Sequence, residues 1–411
     1  MTTTSETAPL PTLSKTQFVA LMAMLMSINA ISIDIMLPGL QQIGASLGVA
    51  DENERQLVIS TYMIGMGFAQ LLFGPLSDRF GRRLPLLAGL GLYCACALAI
   101  VFVPSFGLML ALRFLQGVGA SATRVITVSI VRDVYGGRMM AEIMSLIMMV
   151  FMVIPVIAPS IGQLIMLFGE WHLIFVFIFI FGLVVAGLFA WHVPETLPAE
   201  NRRPFTFSSI AAAFAIVIGN RIAFLYALAI AFIFGGLFGF INSAQQLLVD
   251  VYGFGVYFPV VFAAFAGLMA VASFANSRLV QRFGMRRLSH AALIGFCLVC
   301  LAWALTALFG EVPFWLFAVY YMLAMFQFGL IGPNFNAMAM EPLGHVAGTA
   351  SSVLGFTQTV LGGFIGALIG QAFDGTGTPL AFSFLIVAIA ALAMVLIAER
   401  GRLMRPHLAA S

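Results

Sequence analysis

Charge is what this sequence has least of. Acidic and basic side chains together make up 9% of 411 residues, where a soluble domain carries roughly a quarter. So small a supply cannot cover a water-facing surface. With 62% hydrophobic residues, among them 40 Phe, the chain is expected to face lipid. Cysteine is sparse too: Cys94, Cys96, Cys297 and Cys300 all lie inside apolar stretches. No disulfide framework follows, and Cys297-x-x-Cys300, with no histidine at ligand spacing, reads as packing. The five histidines (His172, His192, His290, His345, His407) are scattered near loops, and no Gly-x-x-x-x-Gly-Lys phosphate cradle occurs. Hydrolytic, phosphoryl-transfer and metal chemistry find no support, so no enzyme activity, cofactor or metal is expected. The net charge of +3 sits in loops without basic runs, which argues against a nucleic-acid surface. The first sixteen residues carry no basic n-region, so the first apolar run reads as a retained span rather than a signal peptide.

What the chain has is long apolar runs. Backbone polar groups cannot stay unpaired in hydrocarbon, so each run of about 20 residues should be a helix. Twelve are expected, at 18–40, 55–75, 83–103, 107–131, 141–168, 171–192, 219–247, 256–277, 286–309, 313–338, 346–371 and 379–398. The fold class is therefore an all-α membrane protein, with bending expected in the Gly/Pro-interrupted fifth and eleventh spans. With a cytoplasmic amino terminus, the Lys/Arg other than Arg113 and Arg124 fall on the cytoplasmic side, among them Lys15, Arg83, Arg138, Arg203 and Arg405. Arg55 is the exception. The outer loops carry acids such as Asp51, Glu52, Glu170 and Asp374. That asymmetry places both termini in the cytoplasm. A tail (1–17), a six-helix half (18–192), a cytoplasmic linker with one interfacial helix (193–218), a second half (219–398) and a tail (399–411) follow.

The halves repeat. Gly74-Pro75-Leu76-Ser77-Asp78-Arg79-Phe80-Gly81-Arg82-Arg83, read as a short charged turn, returns in part as Arg282-Phe283-Gly284-Met285-Arg286-Arg287. Gln41-Gln42 is echoed by Gln245-Gln246, and Ile161-Gly162 by Ile365-Gly366. Such halves face each other across a substrate site near the midplane.

Ionisable residues at membrane depth are costly and functional by default. Apart from Glu142 at the very edge of the fifth span, Asp34 is the one carboxylate inside a span of the first half, and Arg113 is its expected partner. Each lies six residues from the expected outer end of its helix, about 9 Å deep. A nearby cation favours a charged carboxyl and burial a neutral one, so the pair suits proton coupling; a static ion pair is the alternative. Arg124 lies eleven residues on, about 16 Å deeper on the same face. It could bind an anionic substrate group, hold the cytoplasmic gate, or snorkel. Polar residues within spans, Asn29, Tyr62, Gln116, Asn242 and Asn334 among them, are pocket candidates, with interhelical hydrogen bonding the alternative. Gly74, Asp78, Arg79, Gly81, Arg82 and Arg132 are expected to latch the cytoplasmic face, with Asp133 and Glu142 beside them.

Gly74-x-Leu76-Ser77-Asp78-Arg79-x-Gly81-Arg82-Arg83 resembles the loop-2/3 motif of the major facilitator superfamily. Leu112-Arg113-Phe114-Leu115-Gln116-Gly117 is similar to that superfamily's helix-4 motif, which implies a proton-transfer role for Arg113. Ile33-Asp34-Ile35-Met36-Leu37-Pro38 resembles the helix-1 motif of proton-driven drug exporters. Ala158-Pro159-Ser160-Ile161-Gly162, following Pro155, resembles the antiporter helix-5 motif, with Ala158 and Gln163 where glycines are usual. Arg132-Asp133-Val134-Tyr135, Arg278–Gly284 and Ala347-Gly348-Thr349-Ala350-Ser351-Ser352 resemble the Bcr/CflA branch, whose members export bicyclomycin and chloramphenicol. The resemblance implies a monomeric exporter of small drugs in the bacterial inner membrane, driven by the proton gradient without a cofactor. A metabolite transporter on the same fold is the alternative, and a non-transporting sensor a more distant one.

Overall fold

The structure is a computed structural model describing residues 13–51, 53–202 and 207–404. Glu52, Arg203, Arg405, the first twelve residues and 204–206 of the linker lie outside the described residues, as do the side chains of Arg138 and of the Ala347-Gly348-Thr349 stretch.

Helices account for all the regular structure among the described residues. They are α1 (Lys15–Asp34), α2 (Leu40–Ser46), α3 (Leu57–Phe80), α4 (Arg83–Ile100), α5 (Phe106–Val134), α6 (Gly137–Met166) and α7 (His172–His192). Then come α8 (Phe207–Gly219), α9 (Arg221–Gln245), α10 (Phe258–Phe283), α11 (Met285–Leu308), α12 (Phe314–Met340), α13 (Ala347–Gln371) and α14 (Thr378–Ala398). Twelve segments among the described residues are long and apolar enough to cross a membrane, the first running Lys15–Ser46. The chain is a multi-pass membrane protein built of two compact units, Met1–Ser209 and Ile210–Ser411. Within the linker the described residues form a 3-10 turn at Ala199–Asn201 and helix α8.

Two boundaries depart from the sequence expectation, and both departures matter. The first span does not end near residue 40. Helix α1 stops at Asp34, a single 3-10 turn follows at Leu37–Gly39, and α2 carries on to Ser46. Pro38 has no N–H to extend the ladder, and the break is stabilised from α7's entry. There the Trp171 backbone N–H donates to Gln42 Oε1 at 2.7 Å and its indole Nε1 to Ser46 Oγ at 2.8 Å. Asp34 therefore lies at a helix end within the span, not six residues from the outer surface. The second departure concerns the charged turn. Gly74–Phe80 are the last turns of α3, with Pro75 carried inside the helix, and the connection to α4 is only Gly81–Arg82. Gly81 adopts φ +90°, a conformation open to glycine and strained for other residues.

The repeat reappears as matched packing. A Cβ on Gly162 of α6 would collide with the carbonyl of Ile35 beyond α1; a Cβ on Gly366 of α13 would meet Phe238 Cβ at 2.6 Å and Gly239 N at 3.0 Å on α9. Ile35 and Gly239 stand 204 residues apart, as do Gly162 and Gly366. The same helix approach is built twice, with Phe238 in the second unit where the first has Asp34. Helix α6 passes Pro155 and Pro159 without interruption.

Candidate functional site

In the first unit a polar network threads an otherwise apolar core. The end of α1 leaves its last carbonyls without partners one turn ahead. Arg113 of α5, fully buried, fills one of them: its Nη2 donates to Ser32 O at 3.0 Å. Its Nε donates to Val58 O at 3.1 Å and its Nη1 to Gln116 Oε1 at 2.7 Å. The guanidinium also lies 4.3 Å from the centre of the Tyr62 ring and 5.9 Å from that of Phe175, where ring quadrupoles favour a cation. Tyr62 OH donates to Asn29 Oδ1 at 3.3 Å, and Asn29 Nδ2 to Thr123 Oγ1 at 3.0 Å. Ser32 and Tyr93 share a hydroxyl hydrogen bond of 2.6 Å.

Asp34 sits two residues beyond Ser32 and is 4% exposed. Its carboxylate makes no hydrogen bond or ion pair among the described residues. The expected Asp34–Arg113 ion pair is therefore not formed. The donors of Arg113 are engaged by two backbone carbonyls and an amide oxygen. Gly162 of α6 closes against the carbonyl of Ile35, one residue beyond Asp34.

The remaining pocket candidates divide. Asn29, Tyr62 and Gln116 belong to the buried network, and Gln116 Nε2 has no partner. Asn242 is buried on α9. Asn334 Nδ2 donates to Asn276 Oδ1 at 2.6 Å and to Leu330 O at 2.7 Å, an interhelical bond that leaves little of the amide for a ligand. Arg124 alone among these is exposed.

A second cluster forms at the Gly81 turn. Arg82, 3% exposed, donates from Nε to Asp133 Oδ2 at 2.8 Å and from Nη1 to Asp78 Oδ1 at 2.6 Å and Ser77 Oγ at 2.9 Å. Burial pulls its pKa down, but the hydrogen bonds and charges of Asp133 and Asp78 outweigh that and leave it above the ordinary arginine value. Arg79 only overlies the ring of its neighbour Phe80. Arg132 is exposed, with no partner among the described residues. Lys15 and Glu142 form a separate, exposed ion pair of 2.6 Å.

Beside this cluster the ends of α4 and α7 cap one another. Glu195, three residues past α7, accepts from Arg82 N at 2.7 Å and Arg83 N at 3.1 Å, the first amides of α4. In return Arg83 donates to the last carbonyls of α7, Ala190 O at 2.7 Å and Val193 O at 2.9 Å. Each charge lies at the helix pole that favours it. Any Cβ at position 81 would strike the Glu195 carboxylate. The second unit has a counterpart 204 residues later: Glu399 accepts from Arg286 Nε at 3.2 Å and Tyr226 OH at 2.8 Å, and the Tyr226 hydroxyl meets His290 Nε2 at 2.7 Å.

Sequence reasoning passed over Glu195, Ser32, Tyr93 and His290. The repeat spacing between Glu195 and Glu399 is the one signal that could have singled out the first. Ser32 and Tyr93 look like ordinary span residues until α1 and α4 are placed side by side.

The comparisons agree with this architecture. The chain is 32% identical over 390 residues, 93% of its own length and 96% of the relative's, to the bicyclomycin resistance protein homolog of Haemophilus influenzae. It is 31% identical to the chloramphenicol resistance protein of Pseudomonas aeruginosa, over 83% of this chain and 80% of that one. A solved D-xylose-proton symporter shares the fold at a TM-score of 0.73 and 14% identity, covering 94% of this chain and 97% of that one. The pattern of the Major Facilitator Superfamily matches residues 19–367, and the chain belongs to that superfamily.

Proposed function

We propose that this chain exports antibiotics or similar small amphipathic drugs across the bacterial inner membrane by alternating access, with the proton gradient as its energy source and no cofactor. On this reading it is a transporter rather than an enzyme, works as a monomer in the bilayer with both termini in the cytoplasm, and has no nucleic-acid partner. The resistance-protein relatives support the substrate class. The observation that carries the coupling is Asp34: a buried carboxylate within a span, with no hydrogen-bond or ion-pair partner among the described residues. An ionisable group held there costs a few kcal/mol or more, and a packing role would have paired it.

Asp34 receives the proton from the outer side and releases it inward as substrate moves out. Arg113, fixed by Val58, Ser32 and Gln116, is assigned a part in the same proton step. The Arg82–Asp78–Asp133 cluster is assigned to the cytoplasmic latch.

The test is chloramphenicol efflux in inverted vesicles under an imposed pH gradient. Wild type is expected to move the drug, and Asp34→Asn to insert and unfold thermally like wild type yet lose gradient-driven transport. Undiminished transport by the variant would remove Asp34 from the mechanism.

A further inference from the structure

Helix α5 carries a second arginine that the Arg113 network does not use. Arg124 stands ten residues before Val134, about 15 Å from that end of the helix, too deep for its stem to carry the charge out to the interface. Its side chain is nonetheless exposed. The exposure is not to lipid. The large apolar residues that α5 leaves uncovered are Leu108 and Leu115. At about 100° per residue, Arg124 lies about 160° and about 180° round the helix from them, and only about 20° from the buried Arg113. An arginine left uncovered on the face turned away from lipid opens on water.

No protein group neutralises it. Arg124 makes no ion pair or hydrogen bond among the described residues. Three residues to either side on α5, Ser121 Oγ and Thr127 Oγ1 are fully buried and have no partners, although buried hydroxyls are nearly always bonded. Both stand within about 60° of Arg124 on the helix. The Gln116 amide, with Nε2 unpartnered, lies two turns away. This stretch therefore offers a charged fork of donors that no described residue engages, flanked by two buried hydroxyls without a protein partner. Such a set suits an anion, because a guanidinium accepts nothing and binds carboxylates through two parallel hydrogen bonds.

We propose, building on the exporter reading, that Arg124 recognises a carboxylate on the transported molecule, so that the substrate class is anionic amphiphiles. Water solvates the guanidinium while the site is empty. An entering carboxylate replaces that water with a two-pronged bond, while its apolar body stays with the apolar walls of the spans. Neutral drugs lack the group that Arg124 selects.

The test uses the full-length chain in phosphatidylcholine proteoliposomes. Binding of fusidate, nalidixate and deoxycholate is compared by calorimetry with binding of their methyl or ethyl esters, without a pH gradient. Wild type is expected to prefer at least one acid over its ester by about tenfold or more. Arg124→Gln should abolish the preference and Arg124→Lys keep part of it. Arg124→Cys should react with water-borne thiosulfonates, the preference returning after attachment of a trimethylammonium group and not after a sulfonate. Equal binding of acids and esters, a preference surviving Arg124→Gln, no binding of any acid, or an unreactive Arg124→Cys would each overturn the inference. So would acid binding abolished by added phosphatidylglycerol, which would assign the site to a lipid headgroup. Wild-type efflux of chloramphenicol and of the acids, under an imposed pH gradient in the same vesicles, tells which reading has failed. If neither chloramphenicol nor any acid is moved, the exporter reading falls; if either is moved and no acid is preferred over its ester, the anion site falls.

Discussion

Gly162→Ala sets a methyl group against the carbonyl of Ile35, one residue from Asp34. Neither atom can readily step aside, because one belongs to the last turns of α6 and the other to backbone pinned between the end of α1 and Pro38. The helices must separate, and overpacking of this kind costs about 1–3 kcal/mol. In a bundle of this size that lowers the unfolding midpoint by about 2–12 °C. Gly366→Ala is the control supplied by the repeat. Its Cβ meets Phe238 and Gly239, so the same range of destabilisation is expected, but no acid stands beside it. Thermal unfolding in detergent and pH-driven chloramphenicol efflux in inverted vesicles should then diverge. Both variants lose stability, and Gly162→Ala alone loses transport out of proportion, by about tenfold if the displaced carboxylate raises the barrier by about 1.4 kcal/mol. An unshifted midpoint for Gly162→Ala, or equal efflux losses in the two variants, would refute the reasoning.

The Gly81 cluster yields two further expectations. Asp133→Asn keeps the shape but leaves the buried Arg82 with Asp78 as its one carboxylate; a loss of about 1–3 kcal/mol is expected. Because the pair is shielded, thermal unfolding should report the same loss at 0.1 M and about 1 M salt, and an effect that disappears in salt would contradict the burial argument. Glu195→Ala removes the acceptor for the first amides of α4 and should cost about 1–2 kcal/mol, as helix caps do. Glu195→Gln retains one acceptor oxygen without the charge and should cost less, so equal losses would show that the charge, and not the remaining acceptor, carries the cap.

Much of the architecture could be read from residues alone, for a physical reason: lipid forces each apolar run into a helix, so counting runs counts spans. Asp34 and Arg113 stood out on the same principle, since ionisable groups in apolar runs are rare. Their relation did not. Depth was counted from an assumed helix end near residue 40, and Pro38 had already ended the helix at Asp34. The pairing also presumed a free guanidinium, whereas backbone carbonyls of Ser32 and Val58 hold it, and backbone acceptors leave no trace in side-chain identity. Glu195 was absorbed into a polar linker because its partners are main-chain amides of a distant helix. His290 was dismissed as a loop histidine, although α11 carries it inward to Tyr226. The Gly81 turn is shorter than the charged turn expected over Gly74–Arg83, because α3 carries Pro75 within it and continues to Phe80.

The reciprocal capping of α4 and α7 has a mechanical consequence. Glu195 and Arg83 fasten the exit of α7 to the entry of α4, and a two-residue turn ties α4 to α3 with no slack. A pull arriving along the chain from Pro198 is therefore not delivered to α7 alone. It is divided between α7 and the α3–α4 hairpin, which respond as one lever. Cutting the clasp would leave every helix in place and still change what the linker is able to move.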